Sequence, residues 1–256
     1  MLEIRQIGKV YDDPKHHRSV TALEDVSFKV AKHEFLCIVG PSGCGKTTLL
    51  HIIAGLEPPT HGSIVLKGKN VTGTCPCRAL VFQESALFPW KTVLENVVFG
   101  LEIQGIPKDK RFRIAGENLL LVGLEGFENH YPHQLSGGMK QKVQIARVLA
   151  LDPEILLLDE PFASMDEITK TRLDLELLEI WKRKKKTVVF VTHSLEEAIL
   201  LSDRILLFSV DPGRIMHEER LELDRPRDLF SPSVVALRKT LREKLASCYP
   251  VNHILT

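Results

Sequence analysis

The sequence predicts an α/β fold, in which a mostly parallel sheet is flanked by helices and is joined by an antiparallel β subdomain and an inserted helical subdomain. Short apolar runs such as EFLCIVG and EILLLDE alternate with helical patterns, which is typical of parallel strands covered on both faces. The opening segments alternate like half-exposed strands. Residues 84–150 have helical spacing broken only by Gly and Pro, which predicts the inserted subdomain.

The first part of the chain contains most of the predicted strands. LEIRQIGKVY alternates and ends at Asp12-Asp13-Pro14, and VTALEDVSFKV gives a second, edge-like strand. EFLCIVG is a short apolar run that enters a glycine-rich turn, which indicates a buried strand. A helix follows in KTTLLHIIAGL, strands around a Gly turn follow in GSIVLKGKNV, and ALVFQ is a further buried strand.

Helical patterns dominate the next part, and then the alternation resumes. The predicted helices are TVLENVVFGLEIQG, KRFRIAGENLLLVGL and GMKQKVQIARVLAL. After them come the strand EILLLDE, the helix ITKTRLDLELLEIWKRKKK, the strand TVVFVTH, the helix SLEEAILLS and the strand DRILLFS. The chain is Pro-rich after Asp224 and helical in SVVALRKTLREKL. We expect one main domain over residues 1–225 and a short helical tail over 226–256.

Composition limits the classes of function. The 256 residues carry a net charge of +1, so no overall attraction to nucleic acid or to an acidic membrane is expected. Neither a signal peptide nor an apolar run long enough to span a membrane is predicted, so any membrane role would need a partner chain. The five scattered cysteines favour a reduced, cytoplasmic protein, and Cys75-Pro-Cys77 lacks the second ligand pair of a structural zinc site.

A phosphate-binding loop is predicted between a strand and a helix. GPSGCGKT fits the pattern G-x-x-x-x-G-K-[ST], whose glycines let successive backbone N–H groups point at phosphate oxygens. Lys46 adds a positive charge for the β- and γ-phosphates, and Thr47 offers a hydroxyl to Mg²⁺. A glycine-rich structural turn is the alternative. The loop predicts a P-loop NTPase fold of the RecA-like type; the nucleotide-contacting residues are Gly40, Pro41, Ser42, Gly43, Cys44, Gly45, Lys46, Thr47 and Thr48.

Two acidic residues end a buried apolar strand in ILLLDE. Asp159 can hold Mg²⁺, and Glu160 can orient or deprotonate an attacking water. The alternative is a strand that ends at the solvated surface, where acidic residues are common. Because the P-loop is present in the same chain, the functional interpretation is favoured.

A second anion site is predicted in LSGGMKQKVQIAR, where Ser136, Gly137 and Gly138 open a helix. The first N–H groups of a helix have no intrahelical acceptor, and the dipole is positive at that end. The presence of two phosphate-binding sites in one domain requires an explanation.

These motifs resemble the nucleotide-binding subunit of ATP-binding cassette transporters over residues 1–225. The matching segments are the P-loop at 40–48, Gln83 after ALVF, LSGGMKQ at 135–141, ILLLDE at 155–160, ASMD at 163–166, and His193 in VFVTH. In that family two subunits pack head to tail, and the Ser-Gly-Gly helix of one closes over ATP held by the P-loop of the other. The resemblance therefore implies a homodimer with two-fold symmetry, which accounts for the second cradle.

The resemblance also implies a role for each matching residue. Gln83 joins Thr47 and Asp159 around Mg²⁺, Glu160 is the general base, and His193 contacts the γ-phosphate. Ser136 and Gly138 contact the partner's γ-phosphate, with Gly137 between them, and Asp166 lies at the dimer seam. Tyr11 is expected to stack on adenine, and a core tyrosine is the alternative. The chain departs from the common pattern at Met165, at Lys140 and Lys142, and in a longer loop after Tyr11.

Further segments of the sequence resemble the importers within this family. Because the chain lacks a predicted membrane segment, the permease is expected to be separate, which places this subunit on the inner face of the cell membrane. VFQESALFPWKTVLENV resembles the segment where a permease helix docks. FASMDEIT and SVDPGRI resemble the subfamily for nitrate, sulfonate, taurine and pyrimidine precursors, which implies a solute-binding protein as an indirect partner.

Three alternatives remain at this stage. A soluble, non-transport ATPase of the same class would use the basic run WKRKKK, which otherwise is typical of a solvated helix end, so nucleic acid is not an expected partner. A small-molecule P-loop kinase would not need LSGGMKQ. An exporter subunit would have the same site residues as an importer subunit.

Overall fold

A computed structural model of the protein describes residues 1–13 and 18–248. Residues 14–17, which are part of the longer loop expected after Tyr11, lie outside the described residues. The chain divides into two compact units, the first made of Met1–Cys75 and Thr187–Thr256 and the second of Pro76–Lys186. In chain order the elements are β1 (Leu2–Asp13), β2 (Arg18–Val30), β3 (Phe35–Val39), α1 (Lys46–Ala54), β4 (His61–Leu66), β5 (Lys69–Asn70), β6 (Arg78–Val81), α2 (Val93–Ile103), α3 (Lys108–Leu121), α4 (Gly137–Ala150), β7 (Ile155–Asp159), α5 (Glu167–Lys184), β8 (Thr187–Thr192), α6 (Leu195–Leu201), β9 (Arg204–Phe208), β10 (Ile215–Arg220) and α7 (Pro232–Ala246).

The first unit contains an antiparallel sheet with the order β2-β1-β4-β5. Strand β1 alternates as its sequence predicts, because Leu2 and Ile4 are buried while Arg5 is exposed. Leu2 pairs with Val30 on β2 and with Leu66 on β4, so the apolar positions of the three strands meet on one face. This sheet confirms the predicted antiparallel β subdomain.

The same unit contains parallel strands in the order β9-β3-β8, with β10 antiparallel to β9. All five residues of β3 are buried, as expected for a parallel strand covered on both faces. Helix α6 packs against β3 and β8, and α7 packs against α6 and β9. Strand β10 is not predicted from the sequence. Its residues IMHEER alternate between half-buried and exposed, a polar pattern that an edge strand tolerates.

The second unit pairs β6 and β7 in parallel, with Val81 opposite Leu158. Helices α2, α3 and α4 pack against one another, and α4 also contacts β6. They confirm the three helical patterns that follow residue 84. Helix α2 begins at a capping box, in which the Thr92 hydroxyl accepts from the N–H of Glu95 and the Glu95 carboxylate accepts from the N–H of Thr92.

The cysteines differ in part from the expectation. Cys37, Cys44 and Cys248 are free and buried, whereas Cys75 and Cys77 are joined in a disulfide. The expectation that all five are reduced is therefore wrong for this pair. Over residues 1–13 and 18–248, helices long and apolar enough to cross a membrane are absent.

Candidate functional site

The predicted phosphate loop connects β3 to α1 in the first unit. Gly43 and Gly45 have φ of 80° and 88°, a backbone region that glycine enters without steric cost. A Cβ atom at Gly45 would lie 2.7 Å from the carbonyl oxygen of Ala22 and 2.7 Å from Leu23 Cδ2, so this position also excludes a side chain by contact. Helix α1 begins at Lys46, so the N–H groups of its first turn point out of the helix end toward the loop.

The side chain of Lys46 is folded into this loop. It is only 5% exposed, and its Nζ donates to the carbonyl oxygens of Gly40 and Pro41, both at 2.8 Å. The Nζ also lies 3.7 Å from Cys44 Sγ. Burial raises the pKa of the Cys44 thiol, so that the thiol stays protonated at neutral pH. The loop therefore keeps one buried positive charge, at Lys46.

His193 follows β8 at the same edge at which the phosphate loop leaves β3. Val39 is opposite Thr192 in the parallel register, so Gly40 and His193 are the next residues of neighbouring strands. The His193 side chain is exposed, and its backbone is fixed on the C-terminal side, where the N–H of Ser194 donates to Thr192 Oγ1 at 2.9 Å. The fold thus presents an imidazole beside the loop edge.

Tyr11 lies near the end of β1 and contacts the phosphate-loop helix. Its hydroxyl donates to Glu57 at 2.8 Å and lies 3.3 Å from Thr48 Oγ1, while Lys9 Nζ lies 5.0 Å from the ring centroid. Partial burial raises the pKa of the Tyr11 hydroxyl. The side chain is 40% exposed, so the alternative of a core tyrosine is wrong.

The second unit contains the predicted carboxylates. Strand β7 ends at Asp159, which is 4% exposed, and Glu160 follows with a φ of 41°. A left-handed conformation is uncommon for glutamate, and such residues concentrate at functional turns. Because Val81 pairs with Leu158, Gln83 leaves β6 at the same edge of this strand pair, and its side chain is exposed.

Ser136, Gly137 and Gly138 form the start of α4 in the second unit, where Ser136 and Gly137 are exposed and Gly138 is half-buried. Ser136 is the N-cap, and its Oγ accepts from the N–H of Met139 at 3.3 Å. A Cβ atom at Gly137 would lie 3.0 Å from Met165 Cε, so Met165, which departs from the usual leucine, packs directly against the first turn.

Asp166 follows Met165 and caps α5. Its Oδ1 accepts from the N–H of Thr169 at 3.0 Å, and this hydrogen bond lowers the pKa of the Asp166 carboxyl. The carboxylate is therefore ionised at neutral pH. It stays exposed, as a residue at a dimer seam must be in a single subunit.

The structure also identifies residues to which the sequence assigned no role. Gln141, Gln144 and Arg147 on α4 donate to backbone carbonyl groups of the segment that contains Gln83. The signal in the sequence is their spacing of three, which places three long polar side chains on one helix face. Asn96 of α2 binds the backbone of the next segment, at residues 88–92, through its side-chain amide oxygen and amide nitrogen.

The predicted site residues form two sets, one in each unit. The phosphate loop, His193 and Tyr11 belong to the first unit, and Gln83 with Asp159 and Glu160 belongs to the second. In the described part of the chain, no three or more His, Cys, Asp or Glu side chains form a group that could hold a metal ion. The donors proposed for Mg²⁺ are instead a hydroxyl, an amide oxygen and one carboxylate.

Comparison with known proteins identifies relatives along most of the chain. The sequence model described as ABC transporter matches residues 23–163. An uncharacterised ABC transporter ATP-binding protein of Methanocaldococcus jannaschii is 51% identical over 94% of this chain and 89% of its own length. The taurine import ATP-binding protein of Escherichia coli strain K12 is 46% identical over 87% of this chain and 85% of its own. The nitrate import ATP-binding protein of Synechocystis is 45% identical over 90% and 85%.

Solved structures agree with this result. A dimeric bacterial ABC transporter cassette superposes with a TM-score of 0.77 at 33% identity, covering 88% of this chain and all of the cassette. The same cassette in a post-hydrolysis dimer with ADP and phosphate gives a TM-score of 0.76. The predicted fold is thereby confirmed. Sequence, fold and the order of the phosphate-loop, Ser-Gly-Gly and Asp-Glu segments lead to one conclusion: this chain belongs to the ABC transporter family.

Proposed function

We propose that this chain is the ATP-hydrolysing subunit of an importer, in which it powers a separate membrane permease for a small solute. The observation that carries the proposal is the phosphate loop with its buried Lys46, in a chain whose helix α4 begins with Ser136 as an exposed N-cap. The taurine and nitrate import relatives support the importer assignment and a solute of the sulfonate or nitrate type. The domain assignment of residues 1–225, with a tail over 226–256, belongs to the same proposal.

The phosphate loop binds the triphosphate of ATP. The N–H groups of residues 43–48 donate to phosphate oxygens, and Lys46 places its charge on the β- and γ-phosphates. The ring of Tyr11 stacks on adenine, and its exposed fraction leaves a face available for this contact. The Tyr11 hydroxyl contacts both Glu57 and Thr48, and these two contacts hold the ring beside the first turn of α1.

Magnesium fits the proposed donors. Thr47, Gln83 and Asp159 supply a hydroxyl, an amide oxygen and a carboxylate, and Mg²⁺ prefers such hard oxygen ligands. When bound, the ion neutralises charge on the β- and γ-phosphates.

Hydrolysis is a transfer of the γ-phosphoryl group to water. Glu160 accepts a proton from the water as its oxygen bonds to the γ-phosphorus, and the bond to the β–γ bridging oxygen breaks. Glu160 directly follows β7 and has a left-handed backbone, a conformation that concentrates at functional turns. His193, exposed beside the loop edge, donates to the γ-phosphate and holds the water in line.

Two copies act together. Ser136 and Gly138 of one subunit contact the γ-phosphate bound to the other, with Asp166 at the seam, so each phosphate loop is completed by its partner. The dimeric cassette structures support this arrangement. ATP thus binds the closed dimer more tightly than the open one, and hydrolysis reopens it.

The permease docks on the segment after Gln83. The docking surface comprises Phe88 and Trp90, and Trp90 is 71% exposed although it is the largest apolar side chain of the segment. Phe88 packs against Trp90 and against Phe99, with ring centroids 5.6 and 4.6 Å apart. An amphipathic helix of the permease is the proposed partner of this surface. The subunit is therefore held at the cytoplasmic face of the membrane.

Concentration dependence of ATP hydrolysis tests this proposal. If the active species is the dimer, the specific activity of the full chain with ATP and Mg²⁺ rises with protein concentration, and Lys46→Ala abolishes nucleotide binding. A specific activity that is constant at every concentration, or a phosphorylated small molecule as the product, would contradict it.

A further inference from the structure

Three side chains of α4 hold the segment that carries Gln83. Gln141 Nε2 donates to the carbonyl oxygen of Phe82 at 3.4 Å, and Gln144 Nε2 donates to that of Glu84 at 3.5 Å. Arg147 Nη1 donates to the carbonyl oxygen of Ala86 at 2.7 Å. Positions three apart on the helix therefore meet carbonyl groups two apart on the segment, and we call this set the α4 ladder.

Two of the three ladder side chains are buried, and the third is half-buried. Gln141 and Gln144 are 3% and 0% exposed, and the partial burial of Arg147 lowers the pKa of its guanidinium but leaves it charged. Gln83 lies between two of the bound carbonyl groups, at residues 82 and 84. Its backbone is thereby fixed on both sides, while its side chain remains exposed.

The contacts continue from the ladder to the docking surface. The Arg147 guanidinium lies 5.9 Å from the centroid of the Phe88 ring, and Phe88 contacts Trp90. Asn96 accepts from the N–H of Phe88 at 2.8 Å and donates to its carbonyl at 3.2 Å, so that the backbone of Phe88 is fixed as well. Arg147 thus contacts both the Gln83 segment and the Phe88 ring.

We propose that Gln141, Gln144 and Arg147 are positioning residues that transmit contact at Ser136, at the N-terminus of α4, to Phe88 and Trp90. This inference rests on the proposed function, because it takes the ligand at Ser136 to be ATP and the docking surface to be Phe88 and Trp90. A helix is stiff along its axis, so a displacement at Ser136 moves the ladder side chains, and with them the bound carbonyl groups. By linkage, if ATP at Ser136 changes the affinity of a partner for Trp90 by some factor, the partner changes the affinity for ATP at Ser136 by the same factor.

Trp90 itself reports on the coupling. The chain has two tryptophans, so the variant Glu160→Gln with Trp181→Phe retains only Trp90, and we expect it to form an ATP-bound dimer. Acrylamide quenching of this reference chain is measured with and without ATP and Mg²⁺. We expect ATP to change the quenching of Trp90, and Arg147→Met to remove this change while the Kd for ATP and the dimer remain. Arg147→Lys, whose ammonium can donate to Ala86, should restore the change.

Matched variants separate coupling from loss of structure. Arg113→Met removes a cation of the same length from an exposed pair with Glu117 on α3, and it should leave the Trp90 response intact. If Arg147→Met does not fold, Gln141→Met tests the same ladder with a side chain of similar size.

Each outcome is decisive. A full Trp90 response in the folded Arg147→Met or Gln141→Met dimer overturns the inference. So does a reference chain that binds ATP and dimerises without any change at Trp90, although the proposed function then stands. A reference chain that fails to bind ATP overturns the proposed function and the inference together.

Discussion

Ser136 Oγ accepts a hydrogen bond from the backbone N–H of Met139 at 3.3 Å, so the residue proposed to contact the partner's ATP also caps its own helix. The cap satisfies one of the N–H groups that open α4 and leaves the hydroxyl proton available as a donor. Substitutions at this position are therefore expected to change both the stability of the helix and the rate of hydrolysis, and a comparison of substitutions separates the two effects.

Ser136→Arg should abolish ATP hydrolysis by the dimer and spare ATP binding by the single subunit, because its bulk lies in the partner's site and not in its own. Ser136→Ala removes the cap without the bulk and should cost about 1 kcal/mol of stability, with a smaller loss of hydrolysis. Nucleotide titration, thermal unfolding and steady-state hydrolysis measure the three effects. Loss of ATP binding by the isolated Ser136→Arg subunit would show that the proposed geometry is wrong.

Glu160→Gln should lower the hydrolysis rate by about 10²–10⁴-fold, since the amide cannot accept the proton of the attacking water. The ATP-bound dimer should then accumulate and elute earlier in gel filtration with ATP and Mg²⁺. Glu167→Gln removes an exposed carboxylate in the first turn of α5 and serves as the control. A monomeric Glu160→Gln protein with wild-type hydrolysis would refute the general-base assignment.

Tyr11→Ala should weaken ATP binding by about 1–3 kcal/mol, which is the usual effect of losing one base–aromatic stacking contact. Tyr11→Phe keeps the ring and removes only the hydroxyl contacts to Glu57 and Thr48, so the Kd for ATP should change little. Isothermal titration of both variants with ATP gives the comparison. Equal loss in the two variants would mean that the hydroxyl, and not the ring, matters.

Trp90→Ala and Phe88→Ala should weaken association with the permease, and a buried aromatic anchor at an interface is commonly worth about 2 kcal/mol or more. Co-purification with the co-expressed permease subunits measures the effect. Phe230→Ala is the matched control, because Phe230 is 88% exposed and lies outside the docking surface. Undiminished co-purification of both docking variants would exclude this surface as the permease site.

Arg204→Met should cost about 3–5 kcal/mol of stability, because it breaks a buried ion pair and leaves a carboxylate without its partner. Arg204 is 6% exposed and donates from Nε to Glu34 at 2.7 Å and from Nη1 to Glu218 at 2.9 Å. Arg214→Met, which breaks an exposed pair with Glu24, should cost only about 0–1 kcal/mol. Urea unfolding of the two variants provides the test, and equal midpoints would contradict the assigned difference.

The strands and helices around the phosphate loop could be predicted because local signals agree with the tertiary structure there. Apolar FLCIV leads into a glycine turn, and the turn leads into KTTLLHIIA, so period, turn chemistry and burial all indicate the same elements. Strand β10 could not be predicted in this way. Its polar residues are strand-forming only because β9 offers a pairing partner, and that partner is known only from the fold.

The hydrogen-bond partners of the motif side chains could not be predicted from the sequence either. The motif LSGGMKQ includes Gln141, but nothing in its letters shows that the side chain reaches the carbonyl of Phe82, which is 59 residues away in the chain. The same holds for Tyr11, whose contact with Glu57 spans 46 residues. Motifs predict which chemical groups are present, whereas the acceptors that orient them depend on long-range packing.

The hydrogen bonds of Lys46 have a consequence for nucleotide selectivity. Because its Nζ is already bound to the carbonyl oxygens of Gly40 and Pro41, a phosphate oxygen has to compete with two neutral acceptors for the same ammonium group. A negatively charged oxygen is a stronger acceptor than a carbonyl oxygen, so this exchange becomes more favourable as the negative charge of the bound ligand increases. We therefore expect the triphosphate of a nucleotide to displace these internal acceptors more readily than a weakly charged ligand does.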